Sequence, residues 1–343
     1  MRAAYLKEEG HLVVIDAEMP VITSPDQVII RVRTVGICGS EVHAFYGTHP
    51  FRKAPIVLGH EMAGDVYSVG ATVTRFKEGD GVIVDPQWTC GECSFCRAGD
   101  LNLCPSKQVL GASAWPGAFG EYIVAPESAV FPLPEALTYT QGSLIEPLTV
   151  AVHVTRRVHV QAGDSVAILG SGSIGSLLAG VCKVMDAEPI LAADVKQHCL
   201  DIARQKLGAT HTFLLPEDDL VEGSLELTKG EGVDKIFVAA DDVSLVNTAV
   251  AMAKSRGYIA LIALLTEAPL QLRAYDIIKK ELHLVGTSMC NHDDLARAVE
   301  LATSGQVDIE AIATHQFPIE DAEKAMELTK SKEDGAIKVI LTF

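Results

Sequence analysis

The sequence predicts an α/β protein with a β-rich beginning followed by a parallel doubly wound sheet. Three observations predict it. Short runs in residues 1–150 alternate partly with period two, and prolines such as Pro20, Pro25, Pro50, Pro55, Pro86, Pro105, Pro126 and Pro132 keep helices short there. From about residue 151, apolar runs of strand length alternate with stretches of helix length, as in βα units. Finally, Gly170-Ser171-Gly172-Ser173-Ile174-Gly175 follows one of those apolar runs and opens a helix pattern.

In chain order, residues 27–32, 65–70 and 81–84 read as strands of a barrel-like β region carrying loops. Residues 165–169 form a buried strand, 176–185 a helix, 189–193 a strand and 198–207 a helix closed by Gly208. Apolar strands over 235–239 and 258–264 flank a helix over 246–253. The last stretch holds helices over 293–304 and 320–330, then a strand over 337–341. No internal repeat is present.

The 343 residues suit about two domains, and a 48% apolar share is enough to bury large cores. Charged residues make up 21%, and 28 cationic against 45 acidic side chains leave a net charge of −17. That field repels phosphate backbones and anionic membrane surfaces, so neither nucleic acid nor membrane is expected as a partner. Lys7, Glu8 and Glu9 arrive before an apolar leader core could form. The long uncharged stretch at 165–182 is broken by Gly170, Gly172 and Gly175, which fits strand, turn and helix better than a membrane span. The expectation is a soluble cytoplasmic chain.

Of the eight cysteines, Cys90, Cys93, Cys96 and Cys104 stand in the spacing C-x2-C-x2-C-x7-C. Four thiolates at turn spacing make a closed tetrahedral zinc site, although an iron–sulfur cluster accepts the same set. A disulfide framework suits short exported chains better than this one. Cys182, Cys199 and Cys290 read as packing residues.

The glycine motif has a mechanical reading. Gly170 allows the tight turn, Gly172 lets backbone approach a pyrophosphate, and Gly175 lets helix and strand pack closely. Ser173 and Ile174 begin the helix whose free N–H groups face the anion. Asp194 ends the next strand, 19 residues after Gly175. Its carboxylate can accept ribose hydroxyls and repel a 2′-phosphate, which favours NAD over NADP. The plainer alternative is a carboxylate capping the following helix.

A second set stands apart: Cys38, Ser40 and His43 in one segment, His60-Glu61 in another, and Glu146 in the apolar run 144–148. Cys, His and carboxylate are suitable donors for a zinc that keeps an open position. Each also has a plain reading: Cys38 a core thiol, His60-Glu61 a solvated pair, Glu146 an acid at a helix start.

Taken together, Cys38-Gly39-Ser40, Gly59-His60-Glu61 with Gly64, the four-cysteine loop and the glycine motif resemble the zinc-dependent medium-chain alcohol and polyol dehydrogenases along essentially the whole chain. The resemblance implies a GroES-like catalytic domain built from both chain ends, residues 1–150 and 289–343, around an inserted Rossmann domain at 151–288. It implies two zinc ions per chain. Cys90, Cys93, Cys96 and Cys104 would hold the structural one, and Cys38, His60, Glu61 and Glu146 would surround the catalytic one. Glu146 falls where sorbitol-dehydrogenase-like members carry glutamate in place of a second cysteine. Ser40 and His43 resemble the family's proton relay.

The expected reaction passes hydride from a secondary hydroxyl of a polyol or sugar acid to NAD, with polyols such as sorbitol and polyol phosphates open as substrates. The segments at 85–86, 117–122 and 338–343 look like bacterial dehydrogenases of L-gulonate, L-idonate or L-galactonate, although Ser113 stands where such relatives often carry histidine. Phe45, Tyr46, Phe51, Phe119 and Tyr122 are candidate cleft or core aromatics. The likeness also implies a homodimer or homotetramer paired through the strand near 282–289. The rival readings are a zinc-free quinone-reductase-like member and a non-catalytic NAD-binding protein of the same fold.

Overall fold

The computed structural model describes residues 1–112, 114–265 and 269–343; Ser113, whose identity bears on the sugar-acid likeness, lies outside them. The chain forms two compact units. One contains Met1–Glu146, Asn291–Thr303 and Ala313–Phe343, and the other Pro147–Cys290 with Ser304–Ile312.

The first unit is β-rich. Its main sheet has seven strands and runs Val130–Pro132, Gly81–Val84, Glu61–Val69, Gln27–Gly36, Lys338–Thr342, Ala313–Pro318, with Tyr122–Pro126 also pairing with Gln27–Gly36. Gln27–Gly36 is central and buried at eight of its positions, so its residues are apolar on both faces rather than strictly alternating. The last strand of the chain lies antiparallel to it, with Ile340 opposite Gly36 and Thr342 opposite Thr34. Sequence-distant ends therefore share one sheet and one core, which includes Ile30, Val32, Val35, Phe119, Val339 and Leu341. A smaller sheet joins His11–Asp16, Arg2–Glu8 and Ile56–Val57.

In the second unit six parallel strands run in the order His211–Leu214, Ile190–Asp194, Val166–Leu169, Val233–Val238, Ala253–Leu261, His283–Gly286. Strand order reverses direction between Val166–Leu169 and Val233–Val238, the crevice at which doubly wound sheets take ligands. Val166–Leu169 and Ile190–Asp194 are buried throughout, as strands covered on both faces must be. The helices Ser173–Val184 and Gln197–Gln205 form where the sequence predicts them. The α/β expectation holds.

Several elements escape the sequence reading, among them Arg2–Glu8, His11–Asp16, Leu220–Leu227 and Ala313–Pro318. His211–Leu214 is short and only partly buried, so no apolar run announces it. Ile145–Arg157 is helical although Pro147 falls in its first turn, where proline's missing N–H has no partner to lose. Among the described residues no helix is long and apolar enough to cross a membrane.

Candidate active site and metal centres

The four cysteines converge. Cys93 caps the short helix Ser94–Ala98, with its Sγ accepting the Cys96 N–H at 3.4 Å, and Gly99 ends that helix at φ 83°. Sulfur separations are 3.5 Å for Cys93–Cys96, 3.6 Å for Cys104–Cys90 and 3.9 Å for Cys90–Cys96. A zinc tetrahedron with bonds of about 2.3 Å has sulfur–sulfur edges of about 3.8 Å. These spacings fit that cage and are far too long for disulfides. Backbone N–H groups of Glu92 and Cys93 draw the Cys90 thiol down to about 6, toward the thiolate that a metal needs.

The second centre is assembled from strand ends, the short helix Gly39–Phe45 and the first turn of the helix Ile145–Arg157. Cys38 is the N-cap of Gly39–Phe45, and Glu41 reaches back so that its Oε2 accepts the Cys38 backbone N–H at 2.9 Å. His60 precedes the strand Glu61–Val69 and follows Gly59, whose φ is 98°. A Cβ on Gly59 would sit 2.4 Å from the Phe119 ring, so both the turn and the packing require glycine. Single donor atoms of Cys38, Glu41 and His60 lie within 4.8 Å of one another, and so do those of His60, Glu61 and Glu146. His60 is common to both triads.

Glu41 is fully buried and its Oε1 receives two donors: His60 Nδ1 at 2.5 Å and Arg52 Nη1 at 2.7 Å. With Nδ1–H committed to a carboxylate, His60 is left with Nε2 as its free ligand atom. Burial opposes charge on Glu41, but the facing His60 and Arg52 charges hold its carboxyl well below the usual range. Burial likewise opposes charge on His60, and Glu41 outweighs it, raising the imidazole's affinity for a proton.

Glu61 has a different partner. Lys338 Nζ donates to both of its oxygens at 2.7 Å and to the Ile37 carbonyl at 3.0 Å, with both side chains buried. A side chain on Gly36, the residue between their strands, would come within 2.2 Å of Glu61 Oε2. Glu146 stands in the first turn of Ile145–Arg157 and, among the described residues, forms no ion pair with a cation. Burial above all, then the Glu61 and Glu41 charges, push its carboxyl up to about 7 against the pull of His60 and Lys338.

The charges now sort themselves. Arg52 offsets Glu41, and Lys338 offsets Glu61. With zinc bound, Cys38 as thiolate and Glu146 as carboxylate would supply two negative charges, beside His60 coordinating as the neutral imidazole. The donor set fits zinc.

Ser40 and His43 lie on the same helix three residues apart, a spacing that puts them on one face. Thr48 Oγ1 donates to the His43 carbonyl at 3.2 Å and contacts His43 Nδ1 at 2.9 Å. A hydroxyl already donating to that carbonyl must accept from Nδ1–H, so Nε2 is the ring's acceptor. Among the candidate aromatics, Phe45 and Phe119 are core residues, whereas Tyr46 and Phe51 are exposed. Tyr122 packs edge-on against Tyr67.

In the second unit, the glycine loop has the expected build. Gly170 takes φ 102°, and a Cβ on Gly175 would lie 1.9 Å from the Gly170 carbonyl oxygen. Gly172 is the N-cap of the helix that Ser173, Ile174 and Gly175 begin. Asp194 is buried, with Oδ2 accepting the Ser171 N–H at 2.8 Å and Oδ1 the Lys196 N–H at 2.9 Å. It ties the glycine loop to its own strand end rather than bonding the interior of the following helix.

Sequence reasoning passed over Glu41, Arg52 and Lys338. A signal existed for Lys338, a single cation inside an apolar strand, which calls for a buried carboxylate. For Arg52 no local pattern distinguishes it from a loop cation.

Residues 24–135 match the alcohol dehydrogenase GroES-like domain family, and residues 173–304 the zinc-binding dehydrogenase family. Sorbitol dehydrogenase of Bacillus subtilis (strain 168) is 32% identical over 345 residues, covering 99% of this chain and 97% of that protein. D-arabitol-phosphate dehydrogenase of Enterococcus avium is 33% identical, covering 95% and 92%. Among solved structures, an Escherichia coli CFT073 alcohol dehydrogenase complexed with NADH superposes with a TM-score of 0.91 at 30% identity, covering 100% and 99%. The L-idonate 5-dehydrogenase of Escherichia coli K-12 does so with a TM-score of 0.89 at 25% identity, covering 100% and 98%.

Proposed function

The chain belongs to the zinc-binding medium-chain alcohol and polyol dehydrogenase family, and from that premise we propose that it oxidises a secondary hydroxyl of a polyol or sugar acid, for example of the L-gulonate, L-idonate or L-galactonate type, with NAD. At the coarser level it is a zinc-dependent polyol dehydrogenase acting on CH–OH groups. The observation that carries the reading is that His60 shares one triad of donor atoms with Cys38 and Glu41 and a second with Glu61 and Glu146. The match to L-idonate 5-dehydrogenase supports an acid as substrate. The sorbitol and arabitol-phosphate relatives favour neutral or phosphorylated polyols, which the assay below separates.

On this reading residues 1–150 with 289–343 form the catalytic domain and residues 151–288 bind NAD. Cys38, His60 and Glu146 hold the catalytic zinc, with Glu61 close by, and Cys90, Cys93, Cys96 and Cys104 hold the structural one. When bound, zinc supplies a Lewis acid that acidifies the substrate hydroxyl and NAD supplies the hydride acceptor. Glu41 fixes the His60 tautomer so that Nε2 points to the metal side. Ser40 takes the hydroxyl proton at Oγ while giving up its own, and His43 exchanges it with solvent through Nε2. Gly170, Gly172 and Gly175 let backbone N–H groups of the Ser173–Val184 helix face the pyrophosphate, with Asp194 on the ribose side. We further infer a cytoplasmic homodimer or homotetramer, on family likeness.

The test is a panel of alkanols, polyols, polyol phosphates and hexonates assayed with NAD and NADP on zinc-replete protein. Turnover on hexonates is expected; turnover on alkanols alone would reject the proposal. The rival of a zinc-free or non-catalytic NAD-binding protein predicts that Cys38→Ala changes nothing. The reading here predicts loss of turnover with NAD binding kept.

A further inference from the structure

Arg52 is an unusual residue to find where it is. Its side chain is 5% exposed, in a segment with no regular structure, and its position is set by a buried histidine. His49 Nδ1 accepts the backbone N–H of Arg52 at 3.0 Å and of Phe51 at 3.3 Å. Burial first, then the Arg52 charge, lower the His49 pKa to about 4, so the imidazole stays neutral and keeps that acceptor. Nη1 of Arg52 then serves two groups at once, Ser40 Oγ at 2.8 Å and Glu41 Oε1 at 2.7 Å. It lies 3.3 Å from His60 Nδ1, because both nitrogens converge on the same Glu41 oxygen. Among the described residues, Nη2 makes a long contact of 3.5 Å to the Leu110 carbonyl, and Nε is buried with no hydrogen-bond partner. An unfilled buried donor on a charged group lowers stability.

A serine hydroxyl has one proton and two lone pairs. We propose that Arg52 is the positioning residue for proton release: by occupying one lone pair of Ser40 Oγ, it leaves one lone pair to receive a proton and one proton to pass on. Without it the hydroxyl has more orientations open to it. Each passage forms one O–H bond at Ser40 and breaks one, with no change of oxidation state there. The anchor is rigid because the same nitrogen is pinned to Glu41. This inference rests on the reading of Ser40 as relay, and the experiment separates the two.

Ser40→Ala, Arg52→Met, Arg52→Lys and the double variant Ser40→Ala/Arg52→Met are compared with the parent, all zinc-loaded. The readouts are the single-turnover rate of NAD reduction, its solvent deuterium isotope effect, the KM for NAD, zinc per chain and melting temperature. Ser40→Ala is expected to slow the single-turnover rate by about 100-fold. Arg52→Met should slow it by about 10-fold, the loss of one charge-assisted hydrogen bond, with a changed isotope effect and unaltered KM for NAD. Arg52→Lys should recover most of that rate. The double variant should be no slower than Ser40→Ala, since the arginine acts through the serine.

If Ser40→Ala is slow and the double variant is slower by the product of the two effects, Arg52 does not act through Ser40 and the proposal is overturned while the relay stands. If Ser40→Ala turns over normally, the relay reading fails and takes the proposal with it. Should Arg52→Met fold poorly, by melting or zinc content, the same cycle run with Arg52→Gln, which loses the charge and the reach to Ser40 but keeps a polar end, decides: coupling to Ser40 supports the proposal, additivity overturns it.

Discussion

At the scale of single residues, the site is defined by which acids are already matched. Glu41 and Glu61 are neutralised within the chain, by Arg52 and Lys338, and Glu146 is not. Two outcomes follow. Glu41→Gln removes the carboxylate that orients His60, so the catalytic zinc should be lost to a chelator with about 10- to 100-fold weaker affinity while the four-cysteine zinc is retained. Metal counts during a chelator titration read both sites. Lys338→Met leaves Glu61 charged and unpaired in the core, which should cost about 3–5 kcal/mol of unfolding free energy in a denaturant titration. The ligand candidates Cys38, His60 and Glu146 were legible as residue types at suggestive spacings. Glu41 lay unread between Ser40 and His43, because a carboxylate on a short helix looks the same whether it faces water or a histidine.

At the scale of elements, close approach between backbones places the chemistry. Residues 57–59 are held by the 117–119 segment, with Gly117, Ala118 and Phe119 N–H groups donating to the Val57, Gly59 and Leu58 carbonyls. Gly59→Ala forces a side chain into the Phe119 ring at a positive φ, so it should displace His60 and lower catalytic zinc content, measured per chain against an unchanged four-cysteine site.

In the second unit the start of Val166–Leu169 is tied to its neighbour strand. Ser165 N–H and Oγ both donate to Asp234 Oδ2, at 3.0 and 2.6 Å. Burial opposes charge on Asp234, but the Ser165 donors and Lys254 outweigh it and hold the carboxyl below its ordinary value. The stabilisation is therefore complete above about pH 4, the unfolded value, and is lost as pH falls through the lower folded one. Asp234→Asn should flatten that part of the stability–pH curve in acid titrations followed by circular dichroism. The strands and helices of the glycine-loop region were legible because parallel strands buried on both faces are unbroken apolar runs. His211–Leu214 and the proline-bearing Ile145–Arg157 helix were not, since neither carries the pattern that announces its type.

At the scale of the whole molecule, the chain holds two cation centres of different character. The four-cysteine cage draws its donors from one loop, and the His60 centre draws on segments from Cys38 to Lys338. Metal analysis should find about two zinc ions per chain. Cys93→Ser should reduce that to about one and lower the melting temperature, while a short chelator treatment that removes only the other ion should abolish turnover with a smaller thermal shift.

The amino-acid sequence by itself determined the α/β class, the cysteine cage and the glycine loop, because each is written in contiguous residues whose spacing has one mechanical use. Tertiary structure alone decided which of the buried acids is left for a metal. That choice depends on Arg52 folding back through an irregular segment onto Glu41 and on Lys338 reaching Glu61 from the far end of the chain, and charge compensation of that kind leaves no periodic trace in the order of residues.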